Sequence, residues 1–137
     1  MLFTIHLAAT LAMTGLIWFV QIVHYPLFHQ SDRTPDFFKS HADRTGFIVI
    51  PLMLVEITTA AALLSPRLDF PFPIAITNIA LLLIIWLVTA IFSVPCHQKL
   101  IRTGYDPAVV DRLIHTNWLR TLLWTARSLL LLSVSTL

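Results

Sequence analysis

Long apolar runs, broken by proline and by short polar stretches, decide most of what this chain can become. Four such runs occur, over 2–28, 47–65, 71–95 and 118–137, and each is near the ~20 residues that carry a helix across the ~30 Å hydrocarbon core of a bilayer. A backbone in that medium must satisfy its own hydrogen bonds, so runs of this length read as helices. The punctuation agrees: Tyr25 and Pro26 close the first run, Ser65 and Pro66 the second, Pro71 and Pro73 open the third, and Pro95 ends it. We therefore expect an all-α fold, a four-transmembrane-helix bundle forming one membrane domain over residues 1–137.

Composition supports the same reading. Of 137 residues 57% are hydrophobic and only 12% charged, too little polar surface to cover a water-soluble domain. The net charge is just +2 and the basic residues sit in connecting segments, which argues for the lipid bilayer as partner and against nucleic acid. A single cysteine, Cys96, excludes an intramolecular disulfide. Residues 1–28 lack a basic leader and are too long for a signal-peptide core, so the first run is read as a retained helix.

Lys and Arg sort by side. Arg33, Lys39, Arg44, Lys99, Arg102, Arg112 and Arg120 accompany the segments 29–46 and 96–117, whereas Arg67 stands alone at the opposite turn. The positive-inside rule makes the first side cytoplasmic and puts both termini on the non-cytoplasmic side. Between 106 and 115, Val109, Val110, Leu113 and Ile114 recur at helical spacing. That pattern predicts a short interfacial helix before helix 4, or an ordinary pre-membrane turn.

Glu56 and Arg127 interrupt this pattern. Each sits about nine residues from the same end of its run, so at ~1.5 Å per residue both lie roughly 14 Å below one surface. Charges at that depth face the bundle interior and carry a partner or a function. One reading is an ion pair that fixes helix register; the other makes Arg127 an anchor for a carboxylate, quinone oxygen or haem propionate, and Glu56 a metal ligand or proton acceptor.

The histidines form the second signal. His24, His29, His41, His97 and His115 all fall near the cytoplasmic side, and only His6 near the other. Converging imidazoles can ligate metal or haem or relay protons. On the first run Thr14, Trp18, Gln21 and Tyr25 share a face, with His24 beside them; on the third Trp86, Thr89, Ser93 and then Cys96 or His97; on the fourth Asn117, Arg120, Trp124 and Arg127. Near Glu56, the small Thr59 and Ala60 allow close helix approach. The simplest joint arrangement is a pocket open to the cytoplasmic leaflet and floored by Glu56 and Arg127, with Trp18, Trp86 and Trp124 deep enough to line it. Phosphate loops, nucleophile elbows, His-Glu-x-x-His helices and haem-attachment cysteine pairs are missing from the sequence.

The stretch from Trp18 through Gln21, His24, Tyr25 and Pro26 to Phe28, with His41-x-x-Arg44-Thr45, Pro51-x-Met53-x-x-Glu56 and Asn117-Trp118-x-Arg120-Thr121, resembles a group of small bacterial four-helix inner-membrane proteins of unassigned function. A shorter similarity, the Trp and Arg-Thr motif of the last helix, resembles small anthrone-oxygenase-like membrane proteins. The first resemblance implies a four-helix fold and an inner-membrane location, without an activity.

The residues lead to a membrane oxidoreductase or oxygenase-like protein whose pocket takes a hydrophobic lipid, quinone or polyketide-like molecule. His24, His41, His97 and His115, with Glu56, would hold a metal ion (iron, copper or zinc) or haem b. Arg44, Arg120 and Arg127 would bind anionic or carbonyl groups, with Gln21, Asn117 and Trp124 around the cofactor. The competing reading is a transport or membrane-assembly subunit, in which Glu56 and Arg127 form a structural or proton-switched pair and the chain assembles as a homo-oligomer.

Overall fold

A computed structural model describes residues 1–30 and 34–135. Arg33, counted above among the cytoplasmic basic residues, and residues 136–137 of the fourth run lie outside them. Every regular element among the described residues is helical: α1 (Leu2–Phe19), α2 (Pro35–Leu63), α3 (Phe72–Val88), α4 (Val94–Thr103) and α5 (Pro107–Ser135).

α1 continues without a break into a π-helical turn over Val20–His24, closed by the Tyr25 amide donating to the Val20 carbonyl at 2.9 Å. A 3-10 turn at Pro26–His29 follows. α3 does the same: a π turn over Thr89–Ser93 links it to α4, with the Val94 amide bonded to the Thr89 carbonyl. Pro95 was expected to end this helix. Proline clashes with the carbonyl four residues back in a regular helix, and the widened turn immediately before it removes that obstacle, so the helix runs on through Thr103.

α2 starts twelve residues earlier than the apolar run implied, at Pro35. Thr34 caps it, its hydroxyl accepting from the Phe37 amide at 3.3 Å, with proline at the first helical position and Asp36 in the first turn. α5 is likewise one helix of 29 residues. The short interfacial helix expected over 106–115 is therefore the start of α5 and not an element of its own. Gly104, at φ 77°, makes the turn into it, a conformation that costs a residue with a Cβ, and Asp106 caps it by accepting from the Ala108 amide at 3.0 Å.

α1 packs between α2 and α5, α3 packs on α5, and α4 returns to α2, closing a four-sided bundle. Among the described residues three helices, Leu2–His29, Pro35–Leu63 and Phe72–Thr103, are long and apolar enough to cross a membrane. Only 33%, 28% and 22% of their most apolar stretches is buried. Apolar surface of that extent, with Phe47, Ile50, Leu83 and Leu87 all exposed, points to lipid as its solvent. α5 equals α2 in length but is less apolar, because Arg120, Arg127 and several hydroxyl residues lie along it. Both arginines face inward, and its outward positions are Leu119, Leu122 and Leu129.

Candidate functional site

Asn117, Arg120, Trp124 and Arg127 follow one stripe of α5, and all four are buried. They organise two polar layers.

The deep layer is the pair identified from the sequence. Arg127 Nη1 donates to Glu56 Oε1 at 2.7 Å, with both side chains wholly inaccessible. Trp124 Nε1 donates to the same carboxylate, at 3.1 Å to Oε2. Arg127 Nε donates to Asn78 Oδ1 at 3.1 Å and Nη2 to the Thr10 hydroxyl at 3.5 Å. Asn78 Nδ2 in turn reaches His6 Nε2 at 3.0 Å, and His6 Nδ1 lies 2.7 Å from the Thr59 hydroxyl. With Asn78 donating, the His6 proton sits on Nδ1 and is given to Thr59. The chain of bonds runs through α1, α2, α3 and α5. Asn78, not noticed in the sequence at all, is thus a direct partner of the charged pair, and His6, the one histidine near the other side, joins the layer through Asn78.

The second layer lies one to two turns away. Arg120 Nη1 donates to Ser93 Oγ at 3.0 Å and to Asn117 Oδ1 at 3.2 Å. Asn117 Nδ2 donates to Gln21 Oε1 at 2.8 Å, and Gln21 Nε2 to the Ile114 carbonyl at 3.3 Å. The guanidinium sits 5.5 Å from the Trp124 ring centroid, a cation–π distance, and the Tyr25 hydroxyl is beside it. Its Nε, though buried, has no hydrogen-bond partner. Ser93, from the second π turn, bonds this arginine directly, and Gln21, from the first, reaches it through Asn117.

Arg120 also lines a partly open pocket of about 240 Å³ between α2 and the α3–α4 stretch. Its polar lining is Tyr25, His41, Thr45, Thr89, Ser93, His97 and Gln98, and the apolar part includes Val49, Val94 and Ile101. Glu56 and Arg127 are not among the lining residues. The pocket floored by that pair is corrected accordingly: Trp124 lies between, and Arg120 is the cation the pocket meets. Trp18 and Trp86 do not line it either; Trp18 donates to Thr125 Oγ1 at 3.0 Å and packs edge-on to Trp118.

Three of the predicted histidines are neighbours. His24 Nε2 and His41 Nδ1 are 2.8 Å apart, the His41 and His97 rings stack at 5.6 Å, and His97 Nε2 is 3.1 Å from the Tyr25 hydroxyl. His115 is elsewhere, exposed and bonded through Nδ1 to the Asp111 carbonyl at 2.7 Å. His29 pairs with Tyr105 at 2.8 Å and with Asp111 at 3.2 Å. Cys96 is buried on the far side of α4, beside Lys99, Val109 and Arg112. Arg44 is exposed and lines a separate, smaller groove between α1 and α2 with His24.

A metal site needs lone pairs aimed at one point. Here the His24 and His41 nitrogens are aimed at each other, His97 at a tyrosine, and Glu56 at an arginine and an indole. Among the described residues no three His, Cys, Asp or Glu side chains are grouped to hold a metal ion. The expected set of His24, His41, Glu56, His97 and His115 is not brought to one point, and no step below is routed through a metal or haem.

No protein-family model, curated protein or solved structure matches this chain. The resemblances noted above rest on the quoted residues alone.

Proposed function

We propose that this is an integral membrane protein that binds a hydrophobic small molecule, with the molecule's polar head in the pocket between α2 and the α3–α4 stretch and Arg120 as its anchor. The observation that carries this is the buried Arg120 Nε without a partner. A buried donor left unmade costs about 1–3 kcal/mol and more when charged, and the same guanidinium lines the pocket, so a head group seated there can supply an acceptor to an arginine whose bonding is incomplete. The two π turns support the reading, since such turns are rare and concentrate at functional sites, and both border this arginine. A lipid, a quinone or a polyketide-like compound meets the requirement. The oxidoreductase or oxygenase-like version draws on His41 and His97, whose imidazoles line the same pocket and can accept or supply a proton to a bound head group.

In this reading α5 is the fourth span, its arginines turned inward and its leucines toward lipid, and the basic segments place both termini outside the cytoplasmic membrane of a bacterium. The transport or assembly alternative is favoured by a different observation, the full satisfaction of the Glu56–Arg127 layer, which needs no ligand.

Organic extraction of the purified protein tests the proposal. A hydrophobic molecule should co-purify near stoichiometrically, remain in Arg67→Gln, and fall several-fold in Arg120→Gln and Val49→Trp. Equal recovery from all four proteins would sink the pocket.

A further inference from the structure

Resting on that pocket, the charges buried in the bundle narrow the class of molecule it takes. Among the described residues the fully or nearly buried ionisable side chains of fixed charge are Glu56, Arg120 and Arg127. Glu56 is committed to Arg127, with Trp124 bonding the same carboxylate. Arg120 is left with a serine, an asparagine, a tyrosine hydroxyl and an indole face. All of these are neutral. None supplies the counter-charge that a guanidinium requires away from water.

We infer that the missing counter-charge comes with the ligand: the pocket takes a single-chain amphiphile with a monoanionic carboxylate head, which pairs with Arg120 while its apolar chain runs out between α2 and α4. A carboxylate matches the planar donor fork of arginine. A monoanion brings the buried charge to zero, whereas a dianionic phosphate would overshoot it. The pocket's 240 Å³ suits a small head and the start of one chain better than the glycerol phosphodiester of a two-chain lipid. Val49, Val94 and Ile101 line the chain's path.

The full chain in phosphatidylcholine nanodiscs, loaded with dansyl-labelled undecanoate, tests this by displacement. Dodecanoate should compete at a concentration roughly ten-fold or more below methyl dodecanoate or dodecanol, because a hydrogen bond to a charged group is the stronger one. Arg120→Gln should weaken dodecanoate by a similar factor and the ester much less; Arg120→Lys should restore part of the dodecanoate affinity. Val49→Trp, which fills the pocket without touching the cation, should weaken every competitor. Equal competition by acid and ester, with both lost in Val49→Trp, overturns the carboxylate assignment and leaves the pocket standing. Dodecanoate that binds Val49→Trp as well as the natural chain, or no binding of the dansyl probe at all, overturns the pocket too. Displacement by phosphatidylglycerol as effective as by dodecanoate overturns the single-chain assignment.

Discussion

Glu56→Gln changes almost no volume and removes one charge, which makes it the sharpest probe of the deep layer. Arg127 would keep its bonds to Asn78 and Thr10 but lose the carboxylate it is paired with. Both partners are fully inaccessible at 2.7 Å, so no water screens the loss. Breaking a buried pair by removing one partner costs about 3–5 kcal/mol. A neutral hydrogen bond between membrane helices averages about 0.6 kcal/mol, so the measured size separates a charge pair from mere polar contact. Arg127→Met should cost a similar amount, since it strands the carboxylate with Trp124 alone. The double variant leaves no unmatched charge, only the Asn78 carbonyl and part of an amide unpaired, for about 1–3 kcal/mol. The coupling energy of the cycle is then at least about 3 kcal/mol. Reversible unfolding in mixed micelles by sodium dodecyl sulfate, followed by far-ultraviolet circular dichroism, reads all four proteins. Single variants that lose less than about 0.6 kcal/mol, or a double variant equal to the sum of the singles, would refute the argument that these residues neutralise each other.

Two further outcomes follow from the periphery. Lys99, bonded to Asp106 at 2.8 Å, with the Val109 and Ala108 amides holds that carboxyl below its ordinary value. A lowered folded value means the cap's contribution is complete above the unfolded value near ~4 and fades as pH falls through the folded one; the protection of the Ala108 and Val109 amides, taken against the intrinsic exchange rate at each pH, should fall below that pH, and Asp106→Asn should remove the dependence. A Cys96→Ser background allows single cysteines to report orientation: Arg67→Cys should react with a membrane-impermeant maleimide from outside the cell and Thr103→Cys only after lysis. The reverse pattern would overturn the assignment of sides.

Much of the bundle could be read from the chain because lipid-facing apolar runs and buried charges are strong local signals. Glu56 and Arg127 were placed at matching depth by counting alone, and the stripe Asn117, Arg120, Trp124, Arg127 is the one that faces inward. Helix starts were less visible. Residues 35–46 form three turns of α2 but carry Asp36, Lys39, His41, Asp43 and Arg44, so a search for apolar runs passes over them; the Thr34-Pro35-Asp36 cap was the signal available. Partner choice was not local at all. That Arg127 would be shared with Asn78 and Thr10, and Arg120 with Ser93, depends on which helices touch. The histidines misled because proximity to one surface says nothing of where ring nitrogens point.

The π turns carry a consequence for how this chain tolerates length changes. Each holds one residue more than a regular helix would use over the same rise, so it acts as an index step between two helical faces. α3 presents its inward side to α5, while α4, past the step, presents His97 to the pocket and Cys96 away from it. Deleting one residue from 89–93 would return the helix to a regular repeat and rotate everything beyond it by about 100°, carrying His97 off the pocket wall. The two ends of that helix therefore answer to different neighbours, and a single inserted position lets one continuous rod serve both.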